Sequence, residues 1–281
     1  MPMPVEVRYY TDPACSWSWG SEPKLRRLMW EFGEGLRFQW VMGGLARSYD
    51  SGDYWHQTAE WLDVAAESGM PVDARLWSQN PIGSTYPACQ AVKAAAEQGP
   101  DAAYRYLRRL REGLMTERKK LDHAEALIGE AGPAGLDVAR FRIDLNSNAI
   151  TEAFAADIEA VRDPAKEARA RDKVGEPVGQ ERMSFPSALF RAEDGVERGV
   201  WGWSTYESYR EAAAAAGAEA GRGLPSDPTA PIQRFGRCTT RELEELTGKP
   251  GPVLQAELWS LARDWRLRPV AVLGGTFWEL P

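Results

Sequence analysis

The thiol of Cys15 and the hydroxyl of Ser18 stand three residues apart in DPACSWSWG, residues 12–20. The preceding VEVRYY has the apolar and aromatic composition of a strand. The following SEPKLRRLMWEF puts Leu25, Leu28, Met29 and Phe32 on one helical face. Cys15 therefore falls where a strand hands over to a helix. Free N–H groups and the dipole at a helix start favour negative charge. A cysteine so placed is expected to ionise readily, and the thiolate is the nucleophile. Ser18 faces Cys15 across the first turn; its hydroxyl can donate to sulfur but cannot close a disulfide.

Other reactive side chains are sparse. Cys89, in PACQAVKAA, reads as a small apolar core residue, and Cys238 as an inert thiol in a link into a later helix. Three cysteines and two histidines, His56 and His123, are too few and scattered for a disulfide framework or a metal centre, so no metal is expected. His123 reads as part of a loop with Asp122 as N-cap of the next helix. His56, among Tyr54, Trp55 and Trp61, reads as a surface or half-buried helix residue. ERKK, residues 117–120, reads as a helix end whose basic residues suit the dipole. The alternative there is a cleft position from which Arg118 or Lys119 holds a ligand carboxylate. Twelve tryptophans, with Trp17 and Trp19 beside the thiol and two more in GVWGWSTY, hint at an aromatic-walled cleft. Against that stands the general tendency of large aromatics to be core.

The 281 residues suffice for one large domain or two modest ones. With 43% hydrophobic and 27% charged residues, a sizeable core needs no covalent staples. The formal charge of -7 argues against a generally nucleic-acid-binding surface. MPMPVEVRYY has no basic start followed by an apolar run, and no stretch nears the ~20 apolar residues that span a bilayer. The expected setting is cytoplasmic, without a membrane partner and with thiols reduced.

LRFQWVMGGL predicts a second strand, ended by Gly43 and Gly44, and the short crossover from the first implies parallel pairing. Residues 51–171 read as successive helices separated by glycine or proline, an insertion and not a continued sheet. Strand character returns in SFPSALFRAEDGVERGVWGW, with a hairpin turn at Asp194 and Gly195. TYESYREAAAAAG reads as a helix and AEAGRGLPSDPTAP as a linker. In the tail, TTRELEELTG opens on a capping box, with Thr239 or Thr240 as N-cap and Glu242 or Glu244 following. A second amphipathic helix, PVLQAELWSLARDWR, then leads to a hairpin turning at Gly274 and Gly275. Two helices and a hairpin resemble a winged helix, but the tail's arginines are matched by carboxylates, so it reads as a docking or packing module.

TDPACSWSWG followed by EPKLRRL resembles the active-site segment of DsbA-family thioredoxin-fold proteins, in particular the FrnE-like branch and the related ClpXP-protease adaptors. STYPACQAVKAA, LREGLMTERKKLDH and SFPSALF are similar to the same family. The resemblance implies an α/β thioredoxin-like fold over residues 1–50 and 172–222. It further implies an α-helical insertion over 51–171 and a winged-helix-like α/β module over 232–281. Cys15 would be the nucleophile, tuned by Ser18, with Trp17 and Trp19 shaping the cleft. Phe185, Pro186 and Ser187 would form the opposing loop, with Pro186 cis and the Phe185 backbone beside Cys15, free to pair with an extended substrate. The family's second cysteine is Ser18 here, which removes the thiol that would resolve a mixed disulfide.

Three readings follow from the resemblance. The leading one is a monothiol oxidoreductase with no resident cofactor, forming mixed disulfides with proteins or with a low-molecular-weight thiol such as glutathione, resolved from solution or by Cys89. The second is a non-catalytic adaptor that binds a protein partner. The third is a glutathione-dependent transferase or isomerase of the kappa type.

Overall fold

A computed structural model describes residues 3–163, 166–175 and 181–281. Residues 164–165, in a stretch read as helix, and 176–180, in the segment assigned to the returning thioredoxin-like part, lie outside the described residues.

β1 (Val5–Thr11) pairs in parallel with β2 (Leu36–Met42), from Val5 opposite Leu36 to Thr11 opposite Met42. Between them run α1 (Ser16–Gly20), α2 (Glu22–Phe32) and a 3-10 turn over Gly33–Gly35. The expected face of α2 is the packed one, with Leu25, Leu28 and Phe32 buried and Met29 against the core.

The helical stretch comprises α3 (Asp53–Ser68), α4 (Leu76–Gln79), α5 (Tyr86–Ala96), α6 (Pro100–Glu117), α7 (Ala124–Ala131), α8 (Val138–Leu145), α9 (Asn148–Arg162) and α10 (Lys166–Ala170). The N-cap of α7 is His123, not Asp122, whose carboxylate instead accepts from the Gly83 N–H at 2.7 Å. The chain returns through the short pair β3 (Val174–Gly175) and β4 (Arg182–Met183). β5 (Ser187–Arg191) then joins the main sheet antiparallel to β1, with β6 (Glu197–Val200) beside it. The sheet order is β2-β1-β5-β6, the thioredoxin-like arrangement, and α11 (Tyr206–Ala215) follows.

The tail is α/β: α12 (Thr229–Phe235), β7 (Cys238–Thr239), α13 (Thr240–Thr247), α14 (Gly251–Arg263), β8 (Arg268–Val272) and β9 (Gly275–Glu279), its strands ordered β7-β9-β8. Thr239 and Glu242 form the capping box. α12 lies partly in the stretch read as linker, since Pro228 at its N-cap and Pro231 within its first turn mask the helical pattern. The hairpin turns at Leu273 and Gly274, and Gly275 already pairs with Val272. Among the described residues no helix is long and apolar enough to cross a membrane.

A buried cluster of charges ties α2, α6 and α13 together. Arg108 reaches Glu242 at 2.5 and 3.0 Å, Glu112 at 2.7 Å and Glu22 at 3.4 Å. Arg26 reaches Glu242 at 3.2 Å and donates to the Tyr104 hydroxyl at 3.0 Å, while Arg111 pairs with Glu22. Burial alone would push the Glu22 carboxyl up, but Arg111, Arg108 and Arg26 together hold it below its ordinary range. A carboxylate so lowered stabilises the fold fully above its unfolded value, about pH 4.3, and loses that contribution as pH falls through the folded value. Arg108→Met should therefore lower the unfolding free energy by about 3 kcal/mol at neutral pH, because the buried Glu22, Glu112 and Glu242 would lose the guanidinium they share and keep only part of their neutralising charge. Urea denaturation compared at neutral and acidic pH measures this, and the difference between the two proteins should shrink in acid.

Candidate functional site

Cys15 is the N-cap of α1, and its sulfur accepts from the Ser18 backbone N–H at 3.4 Å. A side-chain oxygen usually occupies that position. Ser18 is fully buried, and its hydroxyl accepts from Thr11 Oγ1 at 2.8 Å. Thr11 in turn accepts from Arg111, so the thiol is linked to the buried charge cluster by hydrogen bonds. Asp12 fixes the loop. Its carboxylate takes the Ala14 N–H at 2.8 Å, the Leu45 N–H at 2.7 Å and the Thr85 hydroxyl at 2.8 Å. It also takes the Cys89 thiol at 3.2 Å, which leaves Cys89 buried and engaged, not positioned as a resolving thiol.

Phe185, Pro186 and Ser187 form the opposing loop. The Phe185–Pro186 peptide is cis, and the Cys15 thiol donates to the Phe185 carbonyl at 3.8 Å, a contact long even for sulfur. The carbonyl expected to accept from an added substrate strand thus faces the thiol. Ser187 is buried in structural bonds, donating to Ser184 O at 2.7 Å and accepting from Gly202 N–H at 3.1 Å. Cys15 lies in an apolar cluster with Tyr10, Val41, Val161, Met183, Phe185 and Trp201, and is only 4% exposed. Two glycines make that closure possible. A Cβ on Gly43 would stand 1.9 Å from the Phe185 ring, and one on Gly199 would stand 1.9 Å from the Trp201 indole.

The two tryptophans of the motif part company. Trp17 is half-buried at the rim, with its ring 5.2 Å from that of Trp203. Trp19 does not shape a cleft: it is fully buried, donates to Pro71 O at 2.9 Å and packs on Phe277 of β9. Among the basic residues, Arg182 meets the opposing loop: its guanidinium lies 4.7 Å from the centre of the Phe185 ring. Burial lowers the Arg182 pKa, while the nearby Cys15, Asp12 and Glu60 act in the opposite sense. Arg118 and Lys119 are engaged elsewhere, with Asp73 at 3.3 Å and with Glu130 at 2.6 Å. Cys238 is a buried strand residue whose sulfur accepts from Arg26 at 3.2 Å.

The expectation of a readily formed thiolate is reversed. Burial pushes the Cys15 pKa up and outweighs the hydroxyl and backbone N–H of Ser18, which pull it down; Glu60 and Asp12 add to the rise. One turn of helix supplies a donor to the sulfur but does not replace the lost solvent. The arrangement favours a protonated, shielded thiol. Asp12, Thr11, Glu60 and Arg182 were not singled out from the sequence; only the Asp-Pro step before Cys15 marked one of them.

A protein-family model described as thioredoxin matches residues 9–164, more than half of the chain. A ClpXP adapter protein SpxH from Halalkalibacterium halodurans is 34% identical over 57% of this chain and 55% of its own length. Its Bacillus subtilis counterpart is 29% identical over 56% and 53%. The chain thus spans about half the length of these two relatives. The SpxH of Shouchella clausii is 25% identical over 98% of this chain and 88% of its own. Among solved structures, the cytosolic disulfide reductase DsbM from Pseudomonas aeruginosa has a TM-score of 0.53 at 18% identity, covering 69% of this chain and 88% of that one. A structure from Nitrosomonas europaea has a TM-score of 0.62 at 17% identity, covering 75% and 97%. These likenesses show the fold.

In the folded protein Cys15 should react with iodoacetamide far more slowly than in urea, and should gain thiolate reactivity only above the ~8.5 of a free thiol. Gly43→Ala, which displaces the Phe185 ring, should speed the reaction. Mass-spectrometric rates against pH measure both; fast labelling of the folded wild type below pH 8.5 would contradict the closed site.

Proposed function

The chain belongs to the thioredoxin family, and we propose that within it the protein is a non-catalytic adaptor that holds a protein partner for a ClpXP-type protease. The observation that carries this reading is the state of Cys15: 4% exposed, its pKa raised, bonded to the loop opposite, with Ser18 in place of a second thiol. A disulfide-exchange enzyme needs an accessible thiolate and a way to resolve the mixed disulfide, and this site is poor in both. The near full-length similarity to a ClpXP adapter supports the same conclusion. The monothiol oxidoreductase, favoured by the motif alone, gives way to the adaptor that stood beside it. The kappa-type reading meets the same obstacle, since a glutathione thiol would have to reach a closed pocket.

In this reading the thioredoxin-like part (residues 1–50 and 172–222), the insertion (51–171) and the tail (232–281) form one scaffold. Trp19 and Arg108 lock the three together, and the partner is recognised by surface and not by disulfide exchange.

The test compares wild type with Cys15→Ser. Each is immobilised, the retained proteins are identified, and their degradation by purified ClpXP is timed with and without the chain. Both forms should accelerate degradation equally, and neither should reduce insulin disulfides. If acceleration requires Cys15 and a mixed disulfide with the partner can be trapped, the oxidoreductase reading returns.

A further inference from the structure

We propose that a groove on the outer face of the tail, built around Trp265, is the docking site for an acidic protein segment carrying apolar anchors. The proposal rests on the adaptor reading and names the surface and the chemistry of the partner.

The groove has a volume of about 680 Å³ and lies where α14 hands over to β8. Trp259, Ala262, Trp265 and Pro269 wall it, with Arg263 and Arg268 at its edges. Trp259 is 54% exposed and Trp265 86% exposed. Isolated exposed aliphatics are ordinary on a protein surface, but adjoining tryptophans in a concave apolar site mark an interaction surface. Trp259 is held from beneath by an edge-on contact with Trp278, 5.2 Å between ring centres. Trp278 is fixed in turn by a 2.9 Å bond to Thr240 Oγ1.

The backbone at Trp265 adds an independent observation. α14 ends in a Schellman arrangement: the Arg266 N–H donates to Leu261 O at 2.9 Å and the Trp265 N–H to Ala262 O at 3.1 Å. The residue after the C-cap then takes a left-handed conformation, and here Trp265 has φ 59°. Glycine is favoured at that place because it has no Cβ to clash. A tryptophan there is strained, and its ring projects into solvent, so core packing does not account for it. Residues kept in such a conformation tend to belong to functional sites.

The charge of the groove selects the partner. The side chains that line it include two arginines and no acidic one, on a chain whose formal charge is -7. Arg268 pairs with Glu279 and Arg263 touches Asp264 at 3.3 Å, exposed contacts that a partner's carboxylates can exchange for their own. An acidic segment would be drawn to this face and repelled by the acidic remainder. Because α13 is fixed to α2 and α6 by buried ion pairs, the groove is held rigid before binding, which lowers the cost of association.

The experiment uses the full chain and a random peptide library displayed on phage, selected on wild type and on Trp265→Gly. Glycine relieves the left-handed strain, so the variant should melt no lower than wild type while losing the anchor. The expected result is enrichment of acidic peptides with aromatic or aliphatic anchors. Their affinity should fall about thirtyfold on Trp265→Gly, the scale of a hot-spot tryptophan, and also on Arg263→Glu with Arg268→Glu. No enrichment, enrichment of basic peptides, or equal binding to Trp265→Gly would overturn the groove. The adaptor reading is tested apart from it, by ClpXP degradation of the captured partner. If wild type and Trp265→Gly accelerate that degradation equally, the groove is wrong and the adaptor reading stands. If wild type does not accelerate it, the adaptor reading fails.

Discussion

Arg108 sits between Glu22 of α2 and Glu242 of α13, and the arrangement of the rest of the molecule depends on that guanidinium being shared. Taking several charges out of water is costly unless each finds a partner with good geometry. Here the partners come from three parts of the chain far apart in sequence, so the pairing can be completed only when all three are docked. Glu242 does double duty, accepting from the Thr239 N–H at 2.7 Å to cap its own helix while it accepts from Arg108. The start of α13 and its position against α6 are thereby fixed by one carboxylate.

The same network extends to the thiol through Arg111, Thr11 and Ser18. A serine in the second position fits this chain of donors and acceptors, and the bond it makes to Thr11 is one a thiol would make poorly. The site has kept the thioredoxin geometry, with the capped sulfur, the cis-proline loop and Asp12 as anchor, while its chemistry has been turned inward. Phe185 and Trp201 close over the sulfur in the space left by Gly43 and Gly199.

Much of this architecture was legible in the residues. The apolar and aromatic composition of VEVRYY, the apolar face of α2 and the Asp194–Gly195 turn are local signals, and each led to the observed element. Gly43 and Gly44 read as a strand end; that Gly43 makes room for a ring some 140 positions later is not a local property. Glu22, Arg26, Arg108 and Arg111 look like a solvated helix surface, because pairing partners on other elements have no periodicity to betray them. The titration of Cys15 was misjudged for the same reason. The helix start is visible in the sequence, but the burial that outweighs it comes largely from Val161 of α9, Met183 of β4 and the loop residues Phe185 and Trp201.

The Trp19 contact with Phe277 and the sharing of Glu242 bear on how such a chain can change over evolutionary time. A tail joined only by a flexible tether can be exchanged like a cassette, each half keeping its own stability. This one cannot without cost, because its loss would take Glu242 from Arg26 and Arg108, leaving three buried guanidiniums to share Glu22 and Glu112, and would open the roof over Trp19. Changes on either side of the seam are therefore coupled in energy, and a substitution at Glu242 is felt in α2 and α6 as much as in the tail.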